Sequence, residues 1–506
     1  MNLTTILKQT IRIHPEKRAI YCKDKKFTYK QFGNRVGKLA NALQEFGITK
    51  DENVGVLHKN CHYFLETYFG VVQTGAALVP LNNYLSADEL AFIINNSETK
   101  LLIVDNLFSK KVHKASEKLN KDIKIIKTGD DYENFIASAD YALPSVEIKD
   151  QDIAQIYYTS GTTGRPKGTI LSHKNVYTHA RSSISELSLK EKDVWLHAAP
   201  LFHLADAWAT WAITIVGGSH VLVSDFDPKS ICNSIESQKI TLTNLIPTMY
   251  YRLVNYPDVN KYNYSSLRVL LSGGAPISPS LVKKIIETFK CDYIQTYGMT
   301  ETSPFLTMSI LKDHLKTLPY EQQLKYKSTT GRKFKGIELK VVNENGEQVK
   351  ADNREVGEII VKGNTISKGY WKMEEETKKA FRNGWLYTGD MAVIDKEGYV
   401  TIIDRKDDMI ITGGENVYSI EIENILYTHP FVLEAAVIGI PDDEWGEIVK
   451  AIVVIKEGKK LTEKEVKEYV KGRIAAYKVP KIIEFQECLP KLGSGKICKK
   501  LLKEGK

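Results

Sequence analysis

Tyr158-Thr-Ser-Gly-Thr-Thr-Gly-Arg-Pro-Lys-Gly168 is the stretch whose reading decides the fold. It follows an apolar run, Ile153 to Tyr157, and leads into Thr169-Ile-Leu, a second run of strand character. The pattern predicts a loop bridging two strands, not a strand-to-helix turn. Gly161 and Gly164 let backbone N–H groups converge on an anion. The hydroxyls of Thr159, Ser160, Thr162 and Thr163 add donors, and Lys167 adds positive charge. Such a loop can cradle a polyphosphate. It is not a Walker A loop, which counted from Gly161 needs Gly-Lys at 166–167, where this chain has Pro166-Lys167. The alternative is a plain Gly/Thr turn between strands.

At 506 residues the chain is too long for one core, so two or more domains are expected. Hydrophobic content of 42% and charged content of 26% are ordinary for a soluble globular protein. No apolar run approaches the ~20 residues that span a bilayer. Met1 to Thr10 carries no signal-peptide core. The six cysteines are scattered without a C-x-x-C pair, so they read as free thiols in a reducing compartment, and a cytoplasmic location is expected. The net charge is +8, and basic residues concentrate from Lys491 to Lys506. That tail could meet phosphate-bearing ligands, anionic lipid or nucleic acid. There is no nucleic-acid-binding motif, so no nucleic-acid partner is expected. Peripheral membrane contact and a homodimer are both compatible with this composition.

The first 150 residues alternate short apolar strands (53–57, 77–80, 101–104) with amphipathic helices. Phe32, Val36, Leu39, Leu43 and Phe46 share one helical face, and Ser86-Ala-Asp-Glu89 is a capping box. This alternation implies a mostly parallel α/β sheet. Residues 127–150 are polar and read as an irregular loop. Further on, the runs 337–342, 358–361 and 399–403 are separated by Asn-Gly and Glu-Gly turns and read as a hairpin-rich β subdomain. The last hundred residues, with helices expected over 420–427 and 462–477, form a compact α+β unit.

Five further segments carry chemistry. Pro200-Leu-Phe-His-Leu-Ala-Asp206 places His203 among aromatics, where a histidine is more often packing than function. Ser272-Gly-Gly-Ala-Pro276 is a strand end where a ligand ring could lie against bare backbone at Gly273, Gly274 and Ala275, or simply a strand–helix turn. Gln295-Thr-Tyr-Gly-Met-Thr-Glu301 offers Tyr297 beside Gly298 for nucleotide stacking, Thr300 for phosphate, and Glu301 for Mg²⁺. Asp390, at the end of Trp385-Leu-Tyr-Thr-Gly-Asp390, suits a ribose diol, because a carboxylate accepts two hydroxyl hydrogen bonds. Finally, Gly493 and Gly495 flank the approach to Lys496 on a tail loop, where lysines are usually only solubilising.

Taken in order, these segments resemble the adenylate-forming superfamily: acyl- and aryl-CoA ligases, luciferases and the adenylation domains of peptide synthetases. The resemblance covers nearly the whole chain and is most like a fatty-acyl-CoA ligase. It implies an α/β fold with a large N-terminal domain, 1–403, of α/β sheets plus a β-barrel-like subdomain. Residues 404–506 would be a small mobile α+β lid, hinged at Asp404. The implied cofactors and co-substrates are ATP, Mg²⁺ and CoA, with a small carboxylic acid as substrate. The resemblance makes Lys496, His203 and Thr300 catalytic, with His203 bordering the acyl pocket and thiol tunnel. The ATP contacts would be Thr159–Gly164, Lys167, Gly274–Pro276, Gln295–Gly298, Thr300, Asp390 and Arg405. Gly413 and Gly414 would face CoA. This chain departs from the frequent pattern at Asp206, Thr296, Asp407 and Ser419, where relatives often carry a small residue, glycine, lysine and proline. The expected reaction is activation of a medium- or long-chain fatty acid to an acyl-adenylate, then transfer to CoA. An aryl-acid ligase of coumarate or benzoate type is the alternative, as is an enzyme loading a carrier protein.

Overall fold

The computed structural model describes residues 2–159, 166–491 and 497–504. The chain divides into two compact units: Met1–Glu338 with Val361–Leu386, and Leu339–Ile360 with Tyr387–Lys506.

The first unit is built on two sheets. One has six strands in the spatial order Lys124–Lys127, Thr99–Val104, Asn53–Leu57, Ala77–Pro80, Ile153–Thr159, Lys167–Ser172. All its neighbours are parallel except the last pair, the hairpin around the phosphate-loop sequence. Its strands bury Leu57, Val79, Leu102 and Ile156 against Leu90 and Ile94 of the helix Ala87–Ser97. That helix starts where expected, with Ser86 and Glu89 closing a reciprocal capping box. The other sheet runs, in spatial order, Gly331–Lys333, Phe305–Met308, Asp292–Gly298, Val269–Ser272, Leu242–Leu245, Val194–His197, Ser219–Leu222, Arg18–Cys22, Lys25–Thr28. From Asp292–Gly298 to Arg18–Cys22 it is parallel, so ligand-binding loops gather at the carboxyl ends of these strands. Trp195, Trp208 and Trp211 are fully buried, and truncating any such side chain typically costs about 3–5 kcal/mol.

In the second unit, Trp385–Ile394 and Tyr399–Arg405 pair antiparallel, and a separate sheet runs Glu415–Val417, Ile410–Thr412, Gly446–Ile455, Val432–Asp442. Ile482–Phe485 adds to it in parallel. Its apolar centre combines Val437, Ala451 and Val453 with Ile422, Leu426 and Val466 from helices.

Three expectations are corrected. The hairpin-rich strands form an open path, not a closed barrel, among the described residues. Residues 127–150 contain the helix Asp130–Ala137, whose acidic first turn favours a helix start and whose Tyr132 and Ile136 are buried. The helix expected over 462–477 spans only Glu463–Lys471, ending before Gly472.

Candidate active site

The hairpin places Thr159 directly opposite Lys167. Ser160, Gly161, Thr162, Thr163 and Gly164 lie outside the described residues, as does Lys496. Lys167 Nζ stands 3.4 Å from Glu376 Oε2 and 5.4 Å from the centroid of the Tyr370 ring. Tyr370 arrives there because its segment is laced to the hairpin. The Trp371 N–H donates to Gly168 O at 2.7 Å, and the Ile170 N–H donates to Gly369 O at 3.1 Å. The Tyr370 hydroxyl in turn donates to Glu301 Oε1 at 2.8 Å, while the Ser367 N–H donates to Glu301 O at 2.7 Å. Lys167 and Glu301, far apart in sequence, are thus joined through one phenol. Sequence reasoning missed Tyr370 and Glu376; the available signal was an aromatic pair, Tyr370-Trp371, directly after Gly369.

Two strand ends form a neighbouring wall. Gly274 has φ +82°, a conformation that suits glycine. Gln295 Nε2 donates to Ala275 O at 3.0 Å, and Thr296 Oγ1 donates to Ser272 O at 2.9 Å, so the turn through Pro276 and the strand Asp292–Gly298 are held side by side. A Cβ on Gly273 would lie 2.5 Å from Thr296 Oγ1, and one on Gly298 would lie 1.9 Å from Pro304 O. The strand runs through Gly298 itself, and Tyr297 and Thr300 sit half-buried at its end.

His203 is the N-cap of the helix Leu204–Ile215, its ring 4.5 Å from that of Phe202. Asp206, three residues on, faces the interior and is fully buried. Its Oδ1 accepts the Trp195 indole N–H at 3.0 Å, and its Oδ2 pairs with His197 Nδ1 at 2.7 Å. His197 Nε2 continues to His220 Nδ1 at 3.0 Å, and His220 Nε2 to Thr214 Oγ1 at 3.0 Å. The departure at Asp206 therefore serves the core.

In the second unit, Asp390 lies opposite Arg405 across the hairpin, with Arg405 Nη1 3.1 Å from Asp390 Oδ1. Gly389, at φ +73°, makes the bend before it, and its N–H donates to Glu358 Oε1 at 3.1 Å. Gly413 (φ +58°) and Gly414 (φ +83°) form the tip of the hairpin Ile410–Val417. A Cβ on Gly413 would meet the Trp445 ring at 2.9 Å, so the tip closes on that indole. Asp404, one residue before the end of its strand, is fully buried, and burial pushes its carboxyl above the usual range.

Magnesium needs only one or two carboxylates when substrate phosphates complete its shell. Glu301, 6% exposed and held at one oxygen by Tyr370, fits that demand. No cluster of three or more His, Cys, Asp or Glu able to hold a metal occurs among the described residues.

A largely parallel sheet, Lys167 and Glu301 brought together through Tyr370, and a second compact unit are the frame within which the comparisons fall. The AMP-binding enzyme family matches residues 7–371, and the AMP-binding enzyme C-terminal domain matches 421–496; the chain belongs to this family. It is 33% identical to 4-hydroxybutyrate–CoA ligase 2 of Metallosphaera sedula, over 96% of this chain and 91% of that one. It is 35% identical to feruloyl-CoA synthase of an Amycolatopsis species, over 96% of each. Among solved structures, the anthranilate CoA ligase AuaEII in complex with anthranoyl-AMP superposes with a TM-score of 0.90 at 28% identity, over 100% of this chain and 97% of that one. Within the family the chain is an acid–thiol ligase that works through an acyl-adenylate with ATP, Mg²⁺ and CoA.

Proposed function

We propose that the enzyme converts an apolar acid, a medium-chain fatty acid in particular, to its CoA thioester. A carboxylate is a poor electrophile. In the first half-reaction its oxygen bonds to the α-phosphorus of ATP, the α–β P–O bond breaks, and diphosphate leaves. In the second, the CoA sulfur bonds to the acyl carbon, the thiol proton passes to solvent, and AMP leaves. Neither step needs a protein nucleophile; both need positioning and charge neutralisation.

In this reading Thr159–Gly164 and Lys167 hold the β- and γ-phosphates, and Thr300 touches phosphate. Glu301 holds the magnesium, which when bound would neutralise phosphate charge. Gly274–Pro276 and Gln295–Gly298 carry the adenine and the start of the acyl chain. Asp390 and Arg405 take the ribose. Lys496 bridges carboxylate and α-phosphate, and His203 borders the acyl and thiol approach. After adenylation the lid pivots at Asp404, which withdraws Lys496 and brings Gly413 and Gly414 beside pantetheine. The observation that supports the reading is that Tyr370 links Lys167 and Glu301, the cation and the carboxylate assigned to phosphate and magnesium, from remote segments.

The chain length is argued from Thr296, whose hydroxyl is bonded to Ser272 O and fills the space over Gly273. Where glycine would leave a channel, threonine shortens it, which favours a medium chain over a long one. The aryl reading is kept by the likeness to a feruloyl-CoA synthase and an anthranilate CoA ligase. We place the enzyme in a reducing cytoplasm, consistent with its six free cysteines; among the described residues no helix is long and apolar enough to cross a membrane.

AMP release from hexanoate, decanoate, palmitate, coumarate and benzoate, each with and without CoA, tests this. Decanoate should be fastest and CoA-dependent. Preference for palmitate or an aryl acid overturns the chain-length argument, and turnover only with a carrier protein overturns the acceptor.

A further inference from the structure

The second unit contains a buried charge cluster around Asp404 whose other members, Ser419, Glu423 and Lys499, the catalytic reading does not use. Asp404 Oδ2 accepts both the backbone N–H of Ser419 and, at 2.7 Å, the Ser419 hydroxyl. Its Oδ1 accepts the N–H of Arg405 at 2.8 Å. Ser419 opens the helix Ser419–Tyr427, and Glu423 follows one turn later on the same face. Lys499 Nζ reaches both, lying 2.8 Å from Glu423 Oε1 and donating to Ser419 Oγ. Glu423 is further held by the N–H of Val437 at 2.8 Å. Burial disfavours a charged Lys499, but Glu423, Asp404 and Asp408 more than offset it and keep the ammonium above the ordinary lysine range. Lys499 pairs directly with Glu423 and reaches Asp404 through the Ser419 hydroxyl, and burial raises both carboxyls.

The geometry fixes what can turn. The bond from Asp404 Oδ1 to the next N–H restrains ψ of Asp404, and the bonds to Ser419 anchor the side chain in the C-terminal body. Ser419 matters as a residue type, because a proline in its place would have no N–H to give. Lys499 brings in the chain's last segment. Cys498 N–H donates to Pro490 O at 2.8 Å, and Ile497 and Leu502 pack on Ile438, Ile452 and Leu489. Lys499 is three residues beyond Lys496.

We propose that Lys499 is a positioning residue that bolts the segment following Lys496 to the hinge carboxylate, so that pivot and catalytic lysine move as one body. This rests on the roles given above to Lys496 and Asp404. Without the bolt the hinge still turns, but the lysine segment is no longer registered to it. A displacement of about 1 Å can cost about 100-fold in a reaction that depends on positioning. The adenylation half-reaction, which needs Lys496, would suffer; thioester formation from supplied acyl-adenylate would not.

The test compares Lys499→Met, Lys499→Arg, Ser419→Ala and Lys496→Ala, using decanoate or whichever acid releases AMP fastest in the panel above. Acid-dependent ATP–diphosphate exchange reads the first half-reaction, and CoA consumption with supplied acyl-adenylate reads the second. Lys499→Met should lower exchange about 10- to 100-fold through kcat, with KM for ATP nearly unchanged and the second half-reaction within about threefold. Lys499→Arg should restore most of the loss. Ser419→Ala keeps the backbone N–H and should shift the ratio of the two rates the same way by a smaller factor, which keeps the proposal testable if the methionine variant fails to fold. A lysine that only stabilises the fold would lower the melting temperature and reduce both half-reactions in proportion; that result, or no change in the ratio, overturns the proposal. Equal loss of both half-reactions in Lys496→Ala would instead overturn the reading of the active site.

Discussion

Tyr370 and Glu301 are joined by a 2.8 Å hydrogen bond from phenol to carboxylate, and the same ring lies 5.4 Å from the Lys167 ammonium. The phenol thus orients a carboxylate while its ring supports a cation. Removing only the hydroxyl separates the two effects.

Tyr370→Phe keeps the ring under Lys167 and strips one oxygen of Glu301 of its donor. Partners that orient a metal ligand typically contribute 10- to 100-fold in metal affinity. The magnesium concentration giving half-maximal AMP release should rise about tenfold, and the fold should lose about 1–3 kcal/mol. An unchanged magnesium dependence would show that Glu301 does not depend on Tyr370, or does not bind the ion.

Gly298→Ala should be far more damaging than its size suggests. The added carbon would sit 1.9 Å from Pro304 O, a backbone atom that cannot swing aside. The Thr300–Thr302 turn begins two residues later, so relief of the clash displaces Thr300 and Glu301. A loss of about 3 kcal/mol in denaturant unfolding and a fall in exchange of at least tenfold are expected. Wild-type exchange in this variant would remove the strand end from the site.

Much of this was legible because it is local. The capping box at Ser86 and the antiparallel strands flanking the phosphate-loop sequence follow from neighbours a few residues apart. What was not legible depends on distant partners. Tyr370 meets Glu301 across 69 residues, and Lys499 meets Ser419 across 80. Asp206 has partners, Trp195 and His197, on a strand that no periodicity in its own helix could point to. The helix Asp130–Ala137 was overlooked because only Tyr132 and Ile136 mark its buried side.

Asp206→Ala isolates that interior role. The substitution leaves the Trp195 indole N–H and the His197–His220 pair buried beside a void. Leaving a buried donor without its acceptor typically costs about 1–3 kcal/mol, and two donors lose theirs here. The unfolding midpoint should fall accordingly, while the order of preference among acids stays the same. A changed preference with undiminished stability would return Asp206 to the acyl pocket.

His179 supplies a pH-dependent counterpart. Its Nε2 accepts the Phe305 N–H at 3.2 Å, and its ring lies against Phe305, Phe334 and Trp208. Burial pushes its pKa down to about 3. Unfolding returns it to about 6.5, so the unfolded chain binds the extra proton first as pH falls. The stabilisation from keeping this ring neutral is therefore complete above about pH 6.5 and is lost as pH drops toward 3. His62, also pushed to about 3, and His173, to about 4, add in the same direction. At pH 5 the His179 contribution alone amounts to about 2 kcal/mol. His179→Gln retains an acceptor for Phe305 but cannot titrate. Its unfolding free energy should fall less between pH 7 and pH 5 than that of the parent chain, by about 2 kcal/mol, even if the variant is less stable at pH 7. Parallel curves for the two proteins across this interval would mean that His179 does not carry the acid sensitivity assigned to it.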